Sequence, residues 1–524
     1  MFKKLYEIQE EMLNKILEHD LFSLAKEDAL FLLVKKIGNF NSFMPLMSEE
    51  QLLKFLKGLI NTNSKDIELI RFLQESLKWL SRWVGEHCPD LSSLNSDNSE
   101  IKMDDVLELM GKAYEYEIFY NLCKLNSNNI MKASIKKNRI SFNFRNEETY
   151  KYHLGFDNIW RRLVDDNLNH ELLNRFGKLN HSNIKNISNE IHQSNYEITF
   201  NLSFIGFNLN EYRLFSKVMN EILLENQMKN MNGNTRIIIG NETDYLRYEK
   251  TEWISILAKK TSLTRETIES ITTFFTFDYS EKNNDLSLTY FLPYYDQLIV
   301  SLPLFMMLPP EWNAVRLLAK RRVKSYAYEQ NLFEEEQKEK IENFLSDNNR
   351  YLFSGGYDRK SSLRSGMDLL VYDKFSKILQ VIELKYKIPV ESTQDIINLE
   401  ETYDTAYKQL EKAQEYVTLN KETILHEYFG SRLSGVIPEK IDYFVLTNYS
   451  IGIGSNVQVP SPILLIEYYL QAMAKLGPSL VSKLLQLKDK GLNYEIVKQF
   501  TTIKILDYKI VYPDYLYRIK EGEL

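Results

Sequence analysis

Cysteine is scarce: Cys88 and Cys123 are the only two among 524 residues. That excludes a disulfide framework and a cysteine-built zinc site, and it suits a reducing compartment. Long hydrophobic runs are missing as well. The longest, LIVSLPLFMMLPP at 298–310, is broken by prolines and falls short of the roughly 18 apolar residues that a spanning helix needs. The opening MFKKLYEIQEEMLNKILEHD scatters charge where a signal peptide needs an unbroken apolar core. These absences predict a cytoplasmic protein with no membrane partner. Positive charge is not in excess either, since 65 Lys and Arg stand against 72 Asp and Glu, a net charge of −7. A nucleic-acid partner would therefore need a local basic patch. The chain has no Walker A sequence and no Gly-x-Ser-x-Gly elbow, which argues against an ATP motor and a serine hydrolase. Its seven histidines have no metal-ligand spacing.

What is present reads as an α/β multidomain chain of ordinary globular composition, 44% hydrophobic and 26% charged. Residues 1–128 place apolar side chains at three- and four-residue spacing, as in Leu52, Leu53, Leu56 and Leu59, and predict a helical domain. Residues 129–250 predict a small mixed α/β module. There ASIKKNRISFNF and SNYEITFNLSFIGF alternate like strands, RIIIG is a short buried strand, and LNEYRLFSKVMNEILLENQ is an amphipathic helix. Residues 251–320 read as a mostly helical connector, with Thr264 as an N-cap. Residues 456–524 read as a helical C-terminal extension, on stretches such as PILLIEYYLQAMAKLG.

Between 321 and 455 the order of elements is α-β-β-β-α-β. YEQNLFEEEQKEKIENFL is a helix, YLFS a short strand, and GGYDRKSSLRSG a polar loop; MDLLVYD and ILQVIELKYK are strands joined by DKFSK. A long helix containing TAYKQLEKAQEYV follows, then the strand KIDYFVLTN. Two of these strands end in charge. Asp368 opens one; Glu383 and Lys385 close the next, with fourteen residues between Asp368 and Glu383. Alternate residues of a strand share a face, so Glu383 and Lys385 point the same way. If the strands pair, Asp368 lies at the same end, and two carboxylates make a hard oxygen site suited to Mg²⁺ or Mn²⁺. A lysine beside them can hold the attacking water. The bland alternative is a solvated ion pair at strand ends, since Glu-x-Lys occurs three times in the chain. Only Glu383-x-Lys385 lies in an apolar strand, where an unanswered charge is costly.

The segment GMDLLVYDKFSKILQVIELKYK and its following helix resemble the restriction-endonuclease-like PD-(D/E)XK nuclease superfamily, whose core is αβββαβ. The resemblance covers about 130 of the 524 residues. It implies a metal-dependent nuclease with Asp368 and Glu383 as metal ligands and Lys385 as the water-orienting residue. Ala406, Gln409 and Leu410 fit the family's Ala-x-x-Gln-Leu helix, which implies that Gln409 supports the site. A first-helix glutamate, Glu334, is implied as a further catalytic carboxylate and metal ligand, with Glu335 and Glu336 adjacent. Met367 stands where the motif has proline, and the expected first-helix glycine near Asn331 is absent.

Arg321, Arg322 and Lys324 before the core, with Lys320 beside them, and Arg359, Lys360 and Arg364 in its loop are expected phosphate contacts. The expected substrate is DNA, with defence against foreign DNA as the role that the resemblance suggests. A homo-oligomer or a regulatory protein partner is compatible with the long flanking regions. The competing readings are a catalytically silent nuclease-fold scaffold and an RNA-cutting toxin.

Overall fold

The computed structural model describes residues 2–43, 49–60, 62, 69–90, 101–147, 198, 200–230, 245–282, 284–305, 310–354, 365–388, 393–448, 460–487 and 494–519. Arg359, Lys360, Arg364 and the RIIIG segment lie outside the described residues. The chain is mixed α/β. It opens on α1 (Phe2–Leu17), α2 (Lys26–Phe43), α3 (Glu49–Ile60), α4 (Leu69–His87) and α5 (Met103–Ser127). The hairpin β1 (Met131–Lys136) and β2 (Arg139–Phe144) follows, then α6 (Leu209–Asn230) and β3 (Tyr245–Glu249). After α7 (Lys250–Lys260) and α8 (Arg265–Phe274) come β4 (Leu292–Tyr294), β5 (Gln297–Ser301) and α9 (Leu302–Phe305). Thr264 caps α8 by accepting the Thr267 N–H at 3.1 Å. Where an alternating strand was expected, the described residues 200–208 hold only the single bridge Ser203↔Asn208.

The central segment starts with α10 (Pro310–Arg321) and α11 (Val323–Ser346), separated at Arg322. Then come β6 (Tyr351–Ser354), β7 (Leu369–Asp373), β8 (Ile378–Lys385), α12 (Thr393–Leu419), α13 (Ile424–Phe429) and β9 (Lys440–Thr447). β6, β7 and β8 form an antiparallel meander, and β9 returns parallel to β8 after the α12 crossover. With β10 (Ile463–Leu465) the sheet order is β10-β9-β8-β7-β6. Leu369, Val371, Ile382 and Leu384 pack on one face with Ile341 and Leu345 of α11. Leu370, Tyr372, Leu379 and Val381 pack on the other with Ala413 and Val417 of α12. Because both faces are covered, these strands read as continuous apolar runs rather than as alternating ones.

The tail corrects the helical expectation. After α14 (Ile466–Lys475) and α15 (Pro478–Leu485), the strands β11 (Tyr494–Ile505) and β12 (Tyr508–Ile519) form a hairpin of twelve residues a side. β12 runs parallel to β2, giving the sheet β1-β2-β12-β11. The region around β1 and β2 thus shares its sheet with the end of the chain. The cause is composition: YEIVKQFTTIKI and YKIVYPDYLYRI are rich in β-branched and aromatic residues, which fit a pleated, half-buried surface. Ile503, Ile505, Ile510 and Tyr515 are buried there. Among the described residues no helix is long and apolar enough to cross a membrane.

Candidate active site

The β7–β8 register decides where the charges meet. Its terminal pair is Leu369↔Ile382, so one step further Asp368 stands opposite Glu383. Asp368 Oδ2 accepts the Leu384 N–H at 2.8 Å, which ties its carboxylate to β8. Glu383 is only 1% exposed. Its Oε1 accepts from Lys385 Nζ, while Oε2 is buried without a partner. Burial first, and the Asp368 charge second, push Glu383 up to about 8 against the pull of Lys385. Burial works to lower Lys385, but Glu383, Asp368 and Glu334 together outweigh it and hold the ammonium above its ordinary value.

Glu334 comes from α11. Burial raises its carboxyl, Lys385 opposes that rise, and Asp368 adds to it. The glutamate run has one member at this cluster: Glu335 is exposed, and Glu336 faces Lys340 and Glu339 instead. The helix is set by packing. Phe333 stacks on Tyr386 at 4.5 Å between ring centres, and Gln330 Nε2 donates to the Tyr386 carbonyl at 3.4 Å.

Gln409 approaches from α12. Its Oε1 is buried without a partner. Gly366, two residues before Asp368, lies against this helix with φ +91°, and a Cβ there would sit 2.1 Å from the Gln409 carbonyl oxygen. A close backbone approach of this kind fixes the loop that carries Asp368.

Three carboxylates and one ammonium therefore gather at the ends of β7 and β8. Lys387 joins them within electrostatic reach of Glu334 and Lys385. The sequence reading passed over Lys387, although it is two residues after Lys385 and strand alternation was the signal for it. When all ionise, three carboxylates face two ammonium groups, and the neighbouring Asp368 charge helps to hold the proton on Glu383, whose Oε2 has no hydrogen-bond partner. A hard oxygen donor set whose members repel one another when ionised fits a hard divalent cation. As the side chains stand, no group of three or more His, Cys, Asp or Glu among the described residues is arranged to hold a metal ion. Glu383 instead carries the Lys385 ammonium.

In the basic cluster before the core, two side chains have partners within the chain and the other two are exposed. Arg321 bonds Glu281 Oε2 and the Thr276 carbonyl, each at 3.1 Å, and the Phe274 carbonyl as well. Lys320 pairs with Asp285 at 2.9 Å. Both fasten α10 to the loop after α8, which leaves them poorly placed for phosphate. Arg322 and Lys324 are exposed at the start of α11. Twelve residues separate Arg322 from Glu334, about 18 Å of helix. Comparison with models of known families, with curated proteins and with solved structures finds no match for this chain.

Proposed function

We propose that the segment from α11 to β9 is a metal-dependent phosphodiesterase core of the PD-(D/E)XK type, acting as a nuclease with DNA as its substrate. One observation carries the reading: Asp368 and Glu383 stand opposite each other at the ends of β7 and β8, with Lys385 bonded to the second carboxylate. The order α11-β6-β7-β8-α12-β9, with the short α13 between the last two, supports it, as does Gln409 on the helix against which the Asp368 loop packs.

In this reading Asp368 and Glu383 would hold Mg²⁺ or Mn²⁺, with Glu334 within electrostatic reach. The cation supplies positive charge to the phosphate oxygens and lowers the pKa of water. Lys385 donates to the attacking water and keeps its oxygen aimed at phosphorus. The new bond joins water oxygen to phosphorus as that water gives up a proton to solvent, the bond to the leaving deoxyribose oxygen breaks, and a solvent proton neutralises that oxygen. The sheet ends bury Glu383 and half-bury Asp368 and Lys385, and each electrostatic interaction is stronger there than in bulk water.

The test is cleavage by the purified full chain. Plasmid, linear duplex, single-stranded DNA and RNA are each incubated with Mg²⁺, Mn²⁺ or chelator. Metal-dependent cutting of at least one is expected, with Asp368→Ala, Glu383→Ala and Lys385→Ala each losing about a hundredfold or more. Cutting that survives all three substitutions would place the chemistry elsewhere. A folded wild-type chain that cuts none of the four favours a scaffold.

A further inference from the structure

Beyond the last backbone pair of the parallel strands, Lys385↔Thr447, the structure does something that a strand end does not require. The Asn448 carboxamide grips the next turn of chain from both sides. Its Oδ1 accepts the Lys387 N–H at 2.8 Å, and its Nδ2 donates to the Lys387 carbonyl at 2.7 Å. Tyr386 is fixed at the same time by Phe333 and by Gln330. Three side chains on two other elements thus immobilise a dipeptide that belongs to no strand. What they hold in place is a second, half-buried ammonium beside the first: Lys387 lies within electrostatic reach of Lys385 and Glu334.

Burial disfavours the Lys387 ammonium and Lys385 repels it, while the Glu334 carboxylate attracts it; a phosphate in reach of both lysines would add a second attraction. Lysine is a compact, flexible donor suited to phosphate as a point charge. We infer that Lys387 is a substrate-binding residue that holds a backbone phosphate next to the one being cut, and that Asn448 positions it. Division of labour follows from the geometry. Lys385 bonds Glu383 and lies in electrostatic reach of Asp368 and Glu334, whereas Lys387, two residues beyond the end of β8, lies in reach of Glu334 and of Lys385. Lys385 belongs to the bond-breaking step, and Lys387 to the grip on the strand. This inference rests on the nuclease reading and deepens it.

The experiment measures two quantities on the full chain with wild type, Lys387→Gln, Lys387→Arg and Asn448→Ala. The first is equilibrium binding of a short labelled DNA, single-stranded and duplex, in chelator across a salt series. The second is steady-state cleavage in Mn²⁺. Removing one phosphate contact lowers the slope of log affinity against log salt by roughly one, and affinity by roughly tenfold. Lys387→Gln should show both, with KM raised and kcat kept. Lys387→Arg should restore the slope, and Asn448→Ala should raise KM while leaving kcat near wild type. A merely structural lysine would change stability without moving the salt slope. An unchanged slope and KM in Lys387→Gln overturns the inference, and so does a loss confined to kcat. A wild-type chain that neither binds nor cuts DNA or RNA fails the nuclease reading instead, a result visible before any variant is compared.

Discussion

A buried charge is costly until another charge answers it, and this chain buries two clusters where the answers are unequal. In the first, Lys78 Nζ bonds Glu75 and lies 2.9 Å from Glu117 Oε1, while Trp79 Nε1 donates to Glu117. Burial, and then Glu117, raise Glu75 from 4.5 to about 7, with Lys78 and Arg71 pulling the other way. The folded state therefore holds this proton more tightly than the unfolded state does. Its stabilisation is full below pH 4.5 and is lost as pH rises through about 7. Glu75→Gln removes that dependence, so its melting temperature should exceed wild type by a few degrees at pH 8 and converge with it near pH 4.5. Equal melting curves across that window would show that Glu75 ionises normally. In the second cluster, Asp368, Glu383 and Glu334 have Lys385 and Lys387 against them among the described residues, and on the proposed reading a divalent cation would let all three carboxylates ionise. The sequence named most of these residues, because a carboxylate or ammonium at the end of an apolar strand stands out. It did not reveal the partner of Arg321, because a run of basic residues does not show that Glu281 waits forty positions away.

At the scale of elements, the central segment was legible and the tail was not. β6, β7, β8, α12 and β9 fall where their apolar runs and turns put them, since each strand is short, buried on both faces and bounded by polar residues. The tail failed for a different reason. The helical stretch PILLIEYYLQAMAKLG set the expectation, yet the partner that orders the final hairpin is β2, more than 360 residues earlier. No local pattern carries a pairing of that range. The same scale explains Gly366. A side chain there would need a left-handed backbone and would collide with the backbone of α12, not with a movable side chain. Gly366→Ala should cost about 2–3 kcal/mol by denaturant unfolding and lower cleavage by displacing Asp368. Wild-type stability and activity in that variant would mean that the loop does not depend on this contact.

The whole molecule sets the limits on how the site can be studied. The end of the chain closes a sheet with β1 and β2, and Phe333 and Ile397 of the central segment pack into the same core as the N-terminal helices. At their junction lies a polar cavity of about 660 Å³, lined by Lys78, Trp79, Arg82, Asp285, Lys320 and Asn398 among others. The candidate site is therefore fastened to both ends of the chain, and a fragment cut at 321 and 455 would lose α10 and the side chains outside it that pack on α11 and α12. The full chain is the object to measure. Crystals of it soaked in Mn²⁺ and read by anomalous scattering address the central claim most directly. The account predicts a peak between the Asp368 and Glu383 carboxylates, lost in Asp368→Asn. An ordered site with no peak there at saturating Mn²⁺, or a peak only at other residues, would contradict it.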